Sequence, residues 1–414
     1  MRTGEPALAA LESSQLLVAG TGPAGLIAAL RLAEAGFPVT LVGPEASATD
    51  GRTTALMNPA LETLERIGVL ERLAQGAAPL KAMRIIDATQ RLIRSPVVTF
   101  RASEIGEERF GLNMPNKTLV ATLAAAVHEH PAISWRKALV AAWRLEAGHA
   151  VAELADGSYV AALLVVAADG RSSAAREAAG IATRAHPYPQ AALVLNFGHS
   201  REHGFISTEF HTETGPFTQV PLAGNRSSLV WVVRPETATE LAAMDDADLS
   251  MLIEEKMQSM LGRVTVEPGR QVYPLSAATP HRFAQRRIAL IGEAAHLFPP
   301  IGAQGLNLGI RDIEDLADIV GENRLDPGAE KALAAYDSRR RPDILARSSA
   351  VNLLNRSLLS GLLPAQVVRS AGLGMLKAFS PLRSFFMREG LRPGSGLGAL
   401  SKDLARGMGS RLQR

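Results

Sequence analysis

The fold is decided near the amino terminus by the sequence QLLVAGTGPAGLIAALRLAEAGFPVTLV at residues 15–42. The apolar run at 15–19 favours a buried strand, the alanine- and leucine-rich run at 26–35 favours a helix, and residues 37–42 again suit a strand. A G-x-G-x-x-G turn joins the first strand to the helix. Strand, glycine-rich turn, helix and strand in this order predict a βαβ unit that binds a dinucleotide.

Each glycine of the turn has a mechanical reason to be there. Gly20 allows a tight turn, Gly22 lets the backbone approach a pyrophosphate, and Gly25 lets the helix pack close to the strand. The helix that begins near Pro23 and Ala24 would offer free N–H groups and its positive dipole end to phosphates. A plain glycine-rich turn is the alternative interpretation.

The acid that commonly binds the ribose is missing from its expected place. Gly43 follows the second predicted strand, and Glu45 is the nearest carboxylate beyond it. The ribose contact therefore stays open at this level.

Two later strands end in polar motifs. The run AALLVVAA at 161–168 leads into Asp169 and Gly170, and RIALI at 287–291 leads into GEAAHLFPPIGAQGLN at 292–307. Carboxyl ends of parallel strands meet at one edge of a sheet, where α/β proteins bind their ligands. The three motifs are therefore expected to converge on one nucleotide.

In this order the motifs resemble those of the class A flavoprotein aromatic hydroxylases, of the 4-hydroxybenzoate hydroxylase type, over residues 15 to about 345. Within that family the chain is most similar to the ring hydroxylases of ubiquinone biosynthesis, through GRTTAL at 51–56, SLVW at 228–231 and AHLFPPIGAQGLNLG at 295–309. One position departs from the family pattern, because Glu293 stands where an aspartate is usual.

The resemblance implies an α/β fold, with a Rossmann-like FAD-binding domain built on a parallel sheet, an inserted antiparallel-sheet substrate domain and a C-terminal helical tail. The expected boundaries are 1–75, 100–185 and 281–350 for the FAD-binding domain, 76–99 and 186–280 for the substrate domain, and 351–414 for the basic helical region.

The resemblance also implies the site residues. Those expected to bind FAD are Gly20, Gly22, Pro23, Ala24, Gly25, Arg52, Asn116, Asp169, Gly170, Gly292, Glu293, Gly302, Ala303, Gln304, Gly305, Leu306 and Asn307. Arg52, Pro300 and Gly302 are expected to position the flavin for catalysis, and no side-chain base is assigned. The helix after Gly302 would aim its N-terminus at the anionic reduced flavin, with Leu306 on its apolar face and Asp312 on its polar face.

The middle of the chain predicts an antiparallel meander, with strands at 205–211, 216–222 and 227–233 separated by turn residues. By resemblance this sheet covers the substrate ring. The residues expected to contact substrate are Asn196, Phe210, Phe217 and Trp231, with His199 and His211 as further candidates. Sheet core is the alternative place for each of them.

The implied reaction is hydroxylation of the aromatic ring of a polyprenylated phenol in ubiquinone biosynthesis. NAD(P)H would reduce FAD, O₂ would give a flavin C4a-hydroperoxide, and the hydroxyl group would pass to the ring. Two alternatives stay open: a class A hydroxylase of a small soluble aromatic, and a non-catalytic flavin-binding subunit of a biosynthetic complex.

The composition of the chain excludes several other classes of protein. The 414 residues contain no cysteine, which excludes disulfides and cysteine-ligated metals, and no metal site is expected. A net charge of +3 is too small to predict nucleic-acid binding. No targeting or membrane-spanning segment is recognised, so a cytoplasmic location is expected.

The charge is concentrated at the C-terminal end. Residues 351–414 carry ten basic and two acidic side chains, a net charge of +8, whereas residues 1–350 carry −5. Such a basic, partly apolar tail favours the inner face of an anionic membrane or a biosynthetic complex. The alternative, which the sequence supports equally well, is that residues 351–390 pack on the FAD-binding domain.

Overall fold

The computed structural model describes residues 11–45, 50–91, 94–299, 304–359, 363–392 and 395. Within these residues the strands form two eight-stranded sheets and one sheet of three strands. The expected α/β class is confirmed, with parallel and antiparallel sheets and C-terminal helices.

The strands are β1 (Leu11–Ala19), β2 (Val39–Val42), β3 (Thr53–Met57), β4 (Ala78–Leu80), β5 (Ala82–Asp87), β6 (Val98–Arg101), β7 (Gly111–Pro115), β8 (Ile133–Arg136), β9 (Val140–Leu145), β10 (Ala150–Leu154), β11 (Tyr159–Ala167), β12 (Thr183–His199), β13 (Ile206–His211), β14 (Pro216–Leu222), β15 (Arg226–Val233), β16 (Val264–Val266), β17 (Gln271–Pro280), β18 (Ala284–Gln285) and β19 (Ile288–Leu290). The helices are α1 (Pro23–Glu34), α2 (Asn58–Arg66), α3 (Leu70–Ala74), α4 (Asn116–Glu129), α5 (Ala174–Ala178), α6 (Pro235–Ala243), α7 (Asp246–Lys256), α8 (Gln304–Glu322), α9 (Glu330–Leu359), α10 (Leu363–Ala378) and α11 (Ser380–Leu391).

The first sheet contains the predicted βαβ unit. Its order is β18-β19-β11-β1-β2-β8, and β1 pairs in parallel with both β11 and β2. Leu16, Leu17 and Val18 are completely buried, as expected for a strand covered on both faces. Because β19 is also parallel to β11, all three motif-bearing strands end at the same edge.

The second sheet is mainly antiparallel, in the order β16-β12-β15-β14-β13-β5-β6 with β17 beside β12. It contains the predicted meander as β13, β14 and β15. Side chains alternate across it, so one face packs on α6 and α7 through Phe217 and Trp231. The other face looks toward the first sheet.

The small sheet, in the order β3-β7-β4, joins these two parts. Thr53 Oγ1 donates a hydrogen bond to Ser228 Oγ at 2.9 Å, and Asn113 Nδ2 donates to the carbonyl of Pro221 at 2.8 Å. These bonds fix the second sheet above the strand-end edge of the first.

The C-terminal helices return to the body of the protein. Arg383 Nε of α11 donates to Glu104 Oε2 at 2.6 Å, and Met387 is buried against Phe110 and Ala102. Among the described residues, no helix combines the length and the apolar character required to cross a membrane.

Candidate active site

The first glycine-rich turn has the close packing that its sequence predicts. Gly20 has φ +112°, and a Cβ there would lie 2.3 Å from the carbonyl oxygen of Ala168. A Cβ on Gly25 would lie 1.9 Å from the oxygen of Gly20, whereas no atom lies within 4 Å of the Cβ position of Gly22. The turn is therefore closed on its protein side and open at the N-terminus of α1, as a pyrophosphate would require.

The three motifs meet around this turn. The same Cβ on Gly20 would lie 2.9 Å from the backbone nitrogen of Asp169, which belongs to the second motif. In the third motif, a Cβ on Gly292 would lie 3.1 Å from Ala24 Cβ at the start of α1, and Gly292 has φ +57°. Gly170, next to Asp169, also has a positive φ of +82°. The backbone approach at Gly20 requires glycine, and the positive φ values at Gly292 and Gly170 favour it.

Asp169 carries a polar atom that suits a hydroxyl-bearing ligand. Its Oδ2 accepts a hydrogen bond from the backbone N–H of Ala175 at 3.0 Å. Its Oδ1 is buried and has no hydrogen-bond partner among the described residues. A buried carboxylate oxygen without a partner is costly, so a donor such as a ribityl hydroxyl fits here.

The end of β2 leaves no room for the usual ribose-binding acid. Gly43 has φ +146°, and a Cβ there would lie 2.9 Å from Thr21 Cγ2. Glu45 is half exposed and lies 2.6 Å from Lys137 Nζ and 3.2 Å from His128 Nε2. These partners, Lys137 first and then His128, hold the pKa of Glu45 below its ordinary value. His128 is thus paired with the carboxylate of Glu45. The described residues contain no group of three or more side chains that could hold a metal ion.

Arg52 is fixed at the corner where β3 begins. Its guanidinium donates to both carboxylate oxygens of Asp50, at 2.8 and 2.7 Å, and lies 5.4 Å from the ring centre of Tyr273. Asn116 Nδ2 donates to Asp50 Oδ2 at 3.0 Å, and Asn116 Oδ1 accepts from Thr54 Oγ1 at 2.5 Å. Burial raises the pKa of Asp50, but the bonds from Arg52 and Asn116 outweigh burial and bring it to about 2.

Helix α8 holds β3 in place from the third motif. Asn307 Nδ2 donates to the carbonyl of Ala55 at 2.8 Å, and Asn307 Oδ1 accepts from the N–H of Met57 at 2.8 Å. Gly305 and Leu306 line the adjoining cavity. Three predicted residues, Pro300, Gly302 and Ala303, lie outside the described residues, and Gln304 is described only as the first residue of α8.

A cavity of about 520 Å³ separates the strand-end edge from the second sheet. This volume is in the range of small-molecule sites. The residues of the predicted flavin-binding set that line the cavity are Arg52, Asn116, Glu293, Gly305 and Leu306. Its apolar wall includes Leu80, Met83, Ile85, Phe100, Val220, Val230, Phe298 and Leu306.

The three aromatic residues predicted to contact substrate lie on the face of the sheet that points away from this cavity. Phe210, Phe217 and Trp231 pack edge to face with one another in the core beneath α6 and α7, and none of them lines the cavity. The alternation of a strand turns their neighbours toward the cavity instead, and these are Glu209, Thr218 and Val230. These three residues therefore occupy the alternative place named for them, the core of the sheet.

The polar residues of this sheet that were predicted to contact substrate have different hydrogen-bond partners. Asn196 pairs with Ser228 in the ladder and donates through Nδ2 to the carbonyl of Gly51 at 3.1 Å, so it connects the two parts of the protein. His199 bonds Ser227 Oγ at 3.0 Å. His211 Nε2 donates to Glu209 Oε1 at 2.8 Å, and Glu209 was not among the sequence-based candidates.

A buried ionic cluster was also missed. Asp312 is fully buried, although the helical pattern places it on the polar face of α8. It accepts hydrogen bonds from Gly292 N at 3.0 Å, His296 Nε2 at 2.7 Å and Arg340 Nε at 2.8 Å. The polar face of α8 is therefore not exposed to solvent at Asp312, because Arg340 of α9 covers it. His296 ties the third motif to Asp312 of α8, and Asp312 in turn binds Arg340 of α9.

This architecture is that of the FAD-dependent monooxygenases. Solved structures with the same fold include p-nitrophenol 4-monooxygenase PnpA from Pseudomonas putida, with TM-score 0.74, 20% identity, and coverage of 93% of this chain and 98% of that one. Another is PqsL from Pseudomonas aeruginosa, a probable FAD-dependent monooxygenase, with TM-score 0.75, 22% identity, and coverage of 88% of this chain and 100% of that one. At these identities the likeness shows the fold alone.

The chain belongs to the FAD-binding domain family, whose pattern matches residues 13–347. Among its relatives is ubiquinone hydroxylase UbiL from Rhodospirillum rubrum, 33% identical over 94% of this chain and 92% of UbiL. The 3-demethoxyubiquinol 3-hydroxylase of Escherichia coli is 28% identical over 87% and 94% of the two chains. The resemblance predicted from the motifs is thereby confirmed.

Proposed function

We propose that this protein is an FAD-dependent monooxygenase that hydroxylates the ring of a polyprenylated phenol in ubiquinone biosynthesis. The observation that carries the proposal is similarity over nearly the whole chain to relatives named ubiquinone hydroxylase and 3-demethoxyubiquinol 3-hydroxylase. The mainly apolar cavity beside the predicted flavin-binding residues supports it, because an aromatic ring with an apolar substituent would fit such a wall.

The chain's own residues would bind FAD along the strand-end edge. The N-terminus of α1 at Gly22 would hold the pyrophosphate, and Asp169 Oδ1 would accept from a hydroxyl of the flavin chain. Arg52, fixed by Asp50, would place a positive charge beside the flavin ring. When bound, FAD supplies electrons received from NAD(P)H and the activation of O₂. The apolar wall of the cavity would exclude water from that chemistry.

The direct test is product analysis. Purified protein loaded with FAD should convert a polyprenylated phenol to a product heavier by one oxygen, with NAD(P)H and O₂ consumed. The accumulating quinone intermediate in a strain that lacks the gene should lack the same hydroxyl. Conversion of short soluble phenols alone would favour the small-aromatic alternative, and absence of any hydroxylated product would favour a non-catalytic flavin protein.

We also propose that α10 and α11 bring the protein to an anionic membrane surface. Met375, Phe379 and Phe386 are 59%, 48% and 52% exposed, in a region rich in basic side chains. Met387 and Leu391 of α11 pack in a cluster with Met83 and Phe100, which line the cavity. A membrane contact at this place would bring a lipid-soluble substrate close to the cavity.

Vesicle flotation tests the membrane proposal. Wild-type protein should float with vesicles that contain phosphatidylglycerol, and the combined change of Phe379 and Phe386 to Ser should reduce the bound fraction. The matched control is Met251→Ser. Met251 is 63% exposed and lies on α7, the helix that packs on the second sheet. Equal binding of all three proteins would contradict the proposal.

A further inference from the structure

The described cavity wall contains one carboxylate that the flavin-binding motifs do not explain. Glu209 of β13 and Glu293 of the third motif are the acidic residues lining the cavity. Glu293 lies 3.9 Å from Arg171, on the cofactor side. Glu209 lies on the opposite wall, on the second sheet, among Ile85, Val220 and Val230.

Two hydrogen bonds among the described residues hold the carboxylate of Glu209, and neither donor is a lysine or an arginine. His211 Nε2 donates to Oε1 at 2.8 Å, and Thr218 Oγ1 donates to Oε2 at a long 3.4 Å. The side chain of His211 is 4% exposed and that of Glu209 is 19% exposed. Among the described residues Glu209 forms no ion pair with lysine or arginine. One carboxylate oxygen is therefore well anchored, and the other has capacity for a further donor.

We infer that Glu209 is the residue that binds the phenolic hydroxyl of the substrate and accepts its proton during ring hydroxylation, with His211 as its positioning residue. This inference rests on the proposed function. A carboxylate on an apolar wall is costly unless a donor completes its hydrogen bonds, and a phenol supplies a donor joined to an apolar ring. The same wall would hold the ring through Val220 and Val230.

The proton transfer balances within the proposed reaction. As a ring carbon ortho or para to the hydroxyl forms its bond to oxygen, electron density moves from the phenolic oxygen into the ring. The phenolic O–H bond breaks and the proton passes to Glu209. The hydroxylated carbon then loses its hydrogen as a proton to solvent, and the phenolic oxygen takes its proton back from Glu209. The O–O bond of the activated O₂ breaks as the C–O bond forms, so that one oxygen atom becomes the new hydroxyl and the other leaves as water, with two electrons supplied by NAD(P)H through FAD.

The charged neighbours of Glu209 are few. Its partner strand β5 contributes Arg84, which lines the same cavity and donates to Met260 Sδ at 3.6 Å, and Asp87, whose carboxylate accepts bonds from Thr89 and Ser95. Strand β14 contributes no charged residue. Across the cavity stand Arg52 and Glu293.

The test uses the FAD-loaded protein with 4-nitrophenol, whose absorption distinguishes the neutral from the ionised form. A carboxylate that accepts the phenolic hydrogen bond favours the neutral form, so bound probe should ionise at higher pH than free probe. Glu209→Gln should lower that ionisation pH and weaken probe binding about tenfold to a hundredfold, as expected for loss of a charge-assisted hydrogen bond. Glu240→Gln, exposed on α6 behind the same sheet, is the matched control and should behave as wild type.

His211 provides a second readout. His211→Ala should raise KM for the phenol more than it lowers kcat, and His211→Gln, which retains an N–H donor, should restore KM toward wild type.

Unchanged ionisation and affinity of the probe in Glu209→Gln would overturn the inference, as would failure of 4-nitrophenol to bind the wild-type cavity. The proposed function fails separately, if wild-type protein binds the probe through Glu209 yet forms no hydroxylated prenylphenol. The ionisation shift in wild-type protein requires no variant, so a poorly folded variant would not remove the test.

Discussion

Replacement of Asp312 by Ala should be among the most destabilising single changes in this protein. Asp312 is fully buried and accepts three hydrogen bonds, from Gly292 N, His296 Nε2 and Arg340 Nε. Removal of one partner from a buried ion pair costs roughly 3–5 kcal/mol, because the other charge stays buried. Arg340 Nη1 keeps Asp315 at 2.8 Å and Asp343 at 3.1 Å, which places the expected loss near the lower end, about 3 kcal/mol.

Urea unfolding followed by circular dichroism measures this loss. The matched control is Asp318→Ala on the same helix, because Asp318 is 60% exposed and lies 3.4 Å from Arg339. An exposed pair of this kind contributes about 1 kcal/mol or less. Asp312 also anchors the N–H of Gly292, so the Asp312 variant should retain less FAD on purification than the control. If the two variants unfold within about 1 kcal/mol of each other, the proposed importance of the buried cluster is refuted.

Three further changes test the turn, the Arg52 corner and a strained hairpin. Gly25→Ala would place a Cβ 1.9 Å from the oxygen of Gly20 and should weaken both the stability of the apoprotein and FAD binding. Gly22→Ala should weaken mainly FAD binding, because no atom lies within 4 Å of its Cβ position. Denaturation of the apoprotein and FAD titration separate the two effects, and an equal loss of stability in both variants would contradict the geometry. The folded pKa of Asp50, about 2, is below its ordinary 3.8, so its stabilisation is fully present above 3.8 and is lost as pH falls through about 2. Asp50→Asn should therefore cost about 2 kcal/mol at neutral pH, and a wild-type-minus-variant difference that stays constant down to pH 2 would disprove this. Arg286 is exposed at φ +50° in the turn between β18 and β19. Replacement of Arg286 by Asn should raise the free energy of unfolding by roughly 0.5–1 kcal/mol, and a lower melting temperature of the variant would count against this.

The local parts of the fold could be predicted because their causes are local. An apolar run followed by closely spaced glycines produces the same strand and turn wherever it occurs, so β1, α1 and β2 lie where the sequence indicates. The meander of β13, β14 and β15 was predictable for the same reason, since each strand ends at turn residues.

The face of the second sheet could not be assigned in the same way. Alternation shows that Phe217 and Thr218 point to opposite sides, but it does not say which side holds the cavity. Large aromatic residues are equally suited to a ring-binding wall and to a core beneath α6 and α7. The packing of those two helices decided the matter in favour of the core.

The sequence by itself determined the βαβ unit, the three strand-end motifs and the class of cofactor, because glycine spacing and apolar runs act over a few residues. Only the tertiary structure decided that Asp312 is buried beneath Arg340, that Gly43 has no space for a side chain, and that Glu209 stands on the cavity wall with His211 behind it. The physical reason is that burial and charge pairing depend on neighbours brought from distant parts of the chain, and no local pattern specifies those neighbours.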